Sequence, residues 1–103
     1  MARKPETRLQ TRIRKSLTRE VGGVWVKLHV SDFMGAGLPD LLGVVEGMAF
    51  LLEVKPPGEE PSRIQVLTMK KYRRIGKACS RVVESPDEAV ATVRAWLNRN
   101  ARG

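Results

Sequence analysis

The stretch GLPDLLGVVEGMAFLLEVK, residues 37–55, holds two apolar runs, Leu41 to Val45 and Met48 to Val54, on either side of Glu46-Gly47. Two β-rich runs separated by a Gly-containing pair predict a hairpin with a tight reversal. With the turn centred between positions 46 and 47, paired residues sum to 93, so Val45 opposes Met48, Leu42 opposes Leu51 and, by extension, Asp40 opposes Glu53. Side chains alternate along a strand, which puts Asp40, Glu53 and Lys55 on one face, with directly opposed Cβ atoms about 5 Å apart. Two carboxylates that close repel, and a retained proton, a nearby cation or a divalent metal must compensate. Lys55 is one such cation. An Asp and a Glu beside a Lys form a hard-oxygen site of the kind Mg²⁺ accepts.

Each of these residues also has a plain structural reading. Asp40, directly after Pro39, fits a turn residue that bonds to local backbone N–H groups. Glu53 and Lys55 fit a salt pair on an edge strand. The second reading is the weaker, because AFLLEV is too apolar for an edge and a salt pair needs no second carboxylate opposite. Both hairpin strands are apolar on both faces, which predicts a central position covered by helices on either side.

Working outward, PETRLQTRIRKSLTREVGG has Pro5 where a first helical turn tolerates it, apolar residues at Leu9, Ile13, Leu17 and Val21, and Gly22-Gly23 as a stop. It predicts an amphipathic helix with a basic outer face. VWVKLHV, residues 24–30, alternates Val24, Val26, Leu28 and Val30 against Trp25, Lys27 and His29, a strand pattern. SDFMGAGLP and PPGEEPS are loops. SRIQVLTMKKYRRIG predicts a second helix with Ser62 as N-cap and Gly76 as its stop. KACSRVV is a fourth strand. SPDE, residues 85–88, forms a capping box that opens a last helix with Ala89, Val90, Val93, Trp96 and Leu97 on its core stripe. The order is α-β-β-β-α-β-α, and the tail from Asn98 to Gly103 is expected to fray.

At 103 residues with 19 Lys or Arg against 11 Asp or Glu, the chain has the length of one domain and a formal charge of +8. Residues 1–27 hold eight basic residues against two Glu, and residues 70–81 hold six against none. Such runs are often solvated helix faces, but paired with an acidic site they point to nucleic acid. Cys79 is the only cysteine and His29 the only histidine, so neither a disulfide nor a zinc set can be built within the chain. No apolar stretch approaches the roughly 20 residues that span a bilayer, and MARKPETR has no signal-peptide core. A cytoplasmic protein, bacterial or in a phage-infected cell, is the expectation.

The order of elements, with PD opening the second strand and EVK closing the third, resembles the PD-(D/E)xK nuclease superfamily and, within it, the small virus-type replication-repair nuclease (VRR-NUC) domains. The resemblance covers nearly the whole chain through ETRLQTRI, GLPD, LLEVKPPG, the Gln of SRIQ and the ending SPDEA. It implies a restriction-endonuclease-like αβββαβα core with a central mixed sheet, one nuclease domain over residues 1–103, and Mg²⁺ or Mn²⁺ as cofactor. It implies that Asp40, Glu53 and the backbone carbonyl of Val54 bind the metal, with Glu6 helping directly or through water. Lys55 would orient the attacking water or steady charge on the phosphate, and Gln65 would help position water or phosphate. Glu6 is equally at home in any first helical turn, and Gln65 on an exposed helix face.

The implied substrate is DNA, cut as a branched or otherwise structured molecule, with restriction-type cleavage of duplex DNA and a catalytically silent DNA-binding module as alternatives. Arg8, Arg12, Lys15, Lys27, Lys70 and Arg74 are the expected backbone contacts. A homodimer is expected, with Trp25, Phe33, Met34 and the outer side of the last helix around Trp96 as candidates for its interface; Phe33 and Met34 are also candidates to wedge between bases.

Overall fold

A computed structural model describes residues 5–28 and 37–101, apart from the side chain of Pro5. His29, Phe33 and Met34, and the expectations attached to them, lie outside the described residues. The elements are α1 (Pro5–Glu20), β1 (Val24–Lys27), β2 (Leu41–Val45), β3 (Met48–Val54), α2 (Arg63–Arg74), β4 (Cys79–Val83) and α3 (Pro86–Asn100). The strands form one sheet in the order β1-β2-β3-β4, antiparallel except for the parallel β3–β4 pair. This is the α/β restriction-endonuclease-like architecture that the sequence implies, a mixed sheet flanked by three helices.

The hairpin forms in the expected register, with Leu41 on Leu52, Leu42 on Leu51 and Val45 on Met48. Its two-residue turn has positive φ at both central positions, 50° at Glu46 and 80° at Gly47. Such a turn matches the right-handed twist of the strands, and so it locks the register that brings Asp40 opposite Glu53.

One face of the sheet carries the core. Leu9, Ile13 and Leu17 of α1 and Ala89, Val90 and Val93 of α3 pack there on Trp25, Leu41, Phe50, Leu52 and Val54. The other face is covered by α2, whose Met69 is buried and whose Arg73 donates to the Ser80 carbonyl of β4 at 2.7 Å. The cover is incomplete: α2 lies over the β3–β4 side, and Val24, Val26 and Val44 on the β1–β2 side stay 68, 44 and 49% exposed. The expectation that helices cover both faces of both hairpin strands is corrected to this extent.

The alternation predicted for β1 holds over its four residues, but the inward face is the one carrying Trp25. Its ring lies 5.7 Å from that of Phe50, its Nε1 donates to the Gly22 carbonyl at 2.9 Å, and it is 5% exposed. Gly43 sits directly opposite and makes the room, since a Cβ there would overlap the indole. Trp25 is therefore core and not a subunit or DNA contact, because an indole buries far more apolar area than either valine beside it. Trp96 packs partly against the same core, with the Arg99 guanidinium 5.6 Å from its ring.

Two ends also differ from expectation. Residues 98–100 do not fray: α3 continues through Asn100, whose side-chain amide donates to the Trp96 carbonyl at 2.8 Å. The left-handed residue after α2 is Lys77, with φ 57°, rather than Gly76.

Candidate active site

Asp40 is held at the mouth of the hairpin by the turn before it. Pro39 is fully buried, and Gly37, with φ 85°, packs so close to α2 that a Cβ would meet the Ile64 carbonyl and the Thr68 hydroxyl. Beyond the turn, the Asp40 carbonyl accepts from the Leu28 N–H at 2.7 Å and its Oδ2 accepts from the Val54 N–H at 2.8 Å. The side chain thus completes the hairpin ladder one residue past its last backbone pair. That bond is the link between the Gly-Leu-Pro-Asp turn and the end of β3.

Glu53 is only 1% exposed. Its Oε2 accepts from the Gln65 side-chain amide at 2.6 Å and lies 3.5 Å from the Lys55 ammonium. Its Oε1 is buried without a partner. The orientation of Gln65 follows from the start of α2: Ser62 Oγ accepts from the Gln65 N–H at 3.2 Å, and Gln65 Oε1 accepts from the Ser62 N–H at 2.8 Å. This reciprocal cap uses the amide oxygen, so the amide nitrogen is the end left to face Glu53. Gln65 grips the carboxylate rather than standing free over the site.

Burial pushes the Asp40 carboxyl above its usual range, against the Val54 N–H and the charges of Lys55 and Lys27. Glu53 is pushed up to about 8, first by burial and then by the charge of Asp40, with Lys55 opposing. The pair therefore shares one proton at neutral pH in the absence of another cation. A carboxyl kept this far from its ordinary range, with an unpaired buried oxygen, is a group waiting for positive charge.

Among the described residues no group of three or more His, Cys, Asp and Glu side chains converges, so Glu6 does not join Asp40 and Glu53 as a third clustered acid. Its Oε1 accepts instead from Gln10, at 3.5 Å. Two carboxylates are nonetheless the share of ligands that Mg²⁺ takes from a protein, since it keeps several waters and fills the rest with substrate phosphate oxygens. The orphaned Glu53 Oε1 meets the same demand for a hard cation. Cys79 is buried and its thiol pushed up, which removes it as a nucleophile.

Of the expected DNA contacts, Arg8, Arg12, Lys15, Lys70 and Arg74 are exposed and Lys27 is half-buried. Lys27 alone of these lies near enough to lower the pKa of Asp40. Gln10 was not singled out by the sequence, yet it is 6% exposed and its Oε1 has no partner. Its spacing carried the signal, for Gln10, Ile13 and Leu17 fall on the i, i+3, i+7 stripe of α1.

A mixed four-stranded sheet flanked by three helices, with an acidic pair and a lysine at the end of its hairpin, has the architecture of the restriction-endonuclease-like fold. A solved VRR_NUC domain superposes with a TM-score of 0.71 at 27% identity, over 88% of this chain and 96% of that one. A second, a VRR_NUC domain protein, gives a TM-score of 0.73 at 20% identity over 90 and 88%. The fold is that of a VRR-NUC domain, a nuclease-type domain, and the resemblance in the sequence is borne out. No family model matches the chain, and no curated protein does.

Proposed function

We propose that this chain is a Mg²⁺- or Mn²⁺-dependent endonuclease that hydrolyses DNA phosphodiester bonds at Asp40 and Glu53. The observation that carries the reading is Glu53: a buried carboxyl raised to about 8, with one oxygen unpaired and the other held by Lys55 and Gln65. A structural salt bridge would not leave a buried acceptor empty, since that costs about 1–3 kcal/mol.

Asp40, Glu53 and the Val54 carbonyl would hold the metal. When bound, it supplies positive charge to the phosphate and acidifies the attacking water. Lys55, tied to Glu53, holds an ammonium where negative charge builds on the phosphate. Gln65 fixes the Glu53 rotamer and anchors it to the start of α2. The exposed Arg and Lys residues of α1 and α2 bind the sugar-phosphate backbone, contacts that carry no sequence information and so favour a substrate recognised by its structure, such as a junction or flap.

The protein acts as a homodimer in this reading. With Trp25 in the core, the interface falls to the open side of the sheet at Val24, Val26 and Val44, which are 68, 44 and 49% exposed. A two-fold pair through this patch would offer two acidic sites to the two strands of a branch. Nicking of supercoiled plasmid, and cutting of junction, flap, splayed and duplex DNA with Mg²⁺ or with chelator, tests the function. Metal-dependent cutting of branched forms is the expected outcome; no cutting of any form with either metal overturns it.

A further inference from the structure

After Gly22-Gly23 the chain reverses, and β1 packs along α1. Between the two elements lies a cleft of about 480 Å³, walled by Trp25 and Leu41 and lined also by Thr7, Thr11, Arg14 and Lys27. Lys27 pairs with Leu41, and the next residue, Leu28, donates its N–H to the Asp40 carbonyl at 2.7 Å. The cleft therefore begins one residue along the chain from the acidic pair, and the Lys27 charge reaches Asp40.

Its charge is of one sign. Arg14 and Lys27 are its cations, and no Asp or Glu is among the residues lining it. Arg14 also stands apart from the other basic residues of α1: Arg8, Arg12, Lys15 and Arg19 are exposed, whereas Arg14 is half-buried, as is Lys27. Among the described residues neither cation is in a salt bridge. Half-buried charges are screened less than surface ones, and a cleft of one sign with apolar walls concentrates their field on whatever enters. A guanidinium, an ammonium and the hydroxyl of a residue such as Thr7 all donate, so the fitting ligand is an anion with several acceptor oxygens. A phosphodiester is such a group, and it presents the same oxygens whatever the base. Without metal, an Asp40–Glu53 pair that shares one proton keeps a net negative charge and repels an incoming phosphate, so a strand laid across it is held best by cations beside it.

We infer that the cleft between α1 and β1 is a metal-independent subsite for a backbone phosphate of the strand being cut, next to the scissile one, with Arg14 and Lys27 as its anchors. This rests on the nuclease reading and deepens it. The strand is fixed at the cut by the half-buried pair rather than by the outer helix faces, and the hold is indifferent to sequence.

The test uses the full chain with chelator at low salt, titrated by NMR with the trinucleotide TpTpT and with its analogue in which neutral methylphosphonates replace the phosphates. Shifts at Thr7, Thr11, Arg14 and Lys27 are expected with TpTpT, bound about tenfold more tightly than the analogue. Arg14→Met and Lys27→Met, which keep the aliphatic bulk, should each weaken TpTpT by about five- to tenfold. Arg81→Met removes the same charge from an exposed site on β4 and should cost less than about twofold. Equal binding of the two probes, shifts that map away from the cleft, or a loss in Arg81→Met as large as in Arg14→Met overturns the subsite, and the first two need no variant to fold. Its place beside the cut is read from a DNA cleaved with Mg²⁺ that carries one methylphosphonate on either side of the scissile phosphate in turn. On one side the replacement should slow the unmodified chain yet add nothing to the loss in Arg14→Met; losses that add on both sides overturn the placement. Failure of the premise looks different, for then no DNA is cut while TpTpT still shifts the cleft, whereas equal probe affinities with Mg²⁺-dependent cutting intact remove the subsite alone.

Discussion

At the scale of single residues, the account turns on one proton. Glu53 keeps its proton up to about pH 8 in the fold and loses it near 4.5 in the unfolded chain. Between those values the folded state binds more protons, so this group makes metal-free stability fall as pH rises, by a total on the order of 5 kcal/mol. Glu53→Gln removes that slope while still offering Gln65 an acceptor. Without metal it should melt with the unmodified chain at pH 5 and above it at pH 8.5; a variant less stable at pH 8.5 would show that the carboxylate is paid back by contacts in the fold. Asp40→Asn, Glu53→Gln and Lys55→Ala should each abolish DNA cutting and keep the native circular dichroism. The acidic pair was legible in the sequence because a two-residue turn fixes a register arithmetically. Gln10 was legible only in part: its spacing puts it on the core stripe of α1, but that its amide oxygen is left unpaired depends on the packing across that stripe. Trp25 was misplaced for a related reason: period-two alternation separates two faces of a strand but does not say which one meets the core.

At the scale of elements, the hairpin turn and the α2 cap do the positioning. Glu46 sits at φ 50°, a conformation that a Glu side chain disfavours and Asn tolerates. Glu46→Asn should stabilise the fold by up to about 1 kcal/mol, read as a higher denaturant midpoint with an unchanged slope and unchanged cutting. A fall in stability would mean that the turn is held by contacts of Glu46 itself. Gln65→Ala does the reverse. It strips the cap from the Ser62 N–H and the donor from Glu53, so a loss of about 1–3 kcal/mol is expected together with a fall in cutting. Loss of stability with full cutting would reduce Gln65 to a cap. Helix α1, the hairpin, the β4 strand and the α3 stripe were all legible from periodicity and caps. The S-x-x-Q box of α2 was also present in the sequence, but its second task, gripping Glu53, depends on the crossover that lays α2 against β4, the neighbour of β3, which no local pattern encodes.

For the whole molecule, charge and symmetry set the behaviour. Binding driven by Arg and Lys contacts to phosphates should weaken linearly in a log–log plot against salt, and Arg12→Ala or Arg74→Ala should flatten the slope by about one counterion each. The open valine face predicts a dimer near twice the 11.5 kDa of one chain. Val44→Lys should return it to that single-chain mass in light scattering while keeping the native circular dichroism, since this residue is 49% exposed. Catalysis by the acidic pair is the central claim, and it is tested most directly by incubating supercoiled plasmid and a four-way junction with the purified chain and its Asp40→Asn variant, each with Mg²⁺ or with chelator. The account predicts cutting by the unmodified chain with Mg²⁺ alone; cutting that survives chelator, or that Asp40→Asn retains in full, would contradict it.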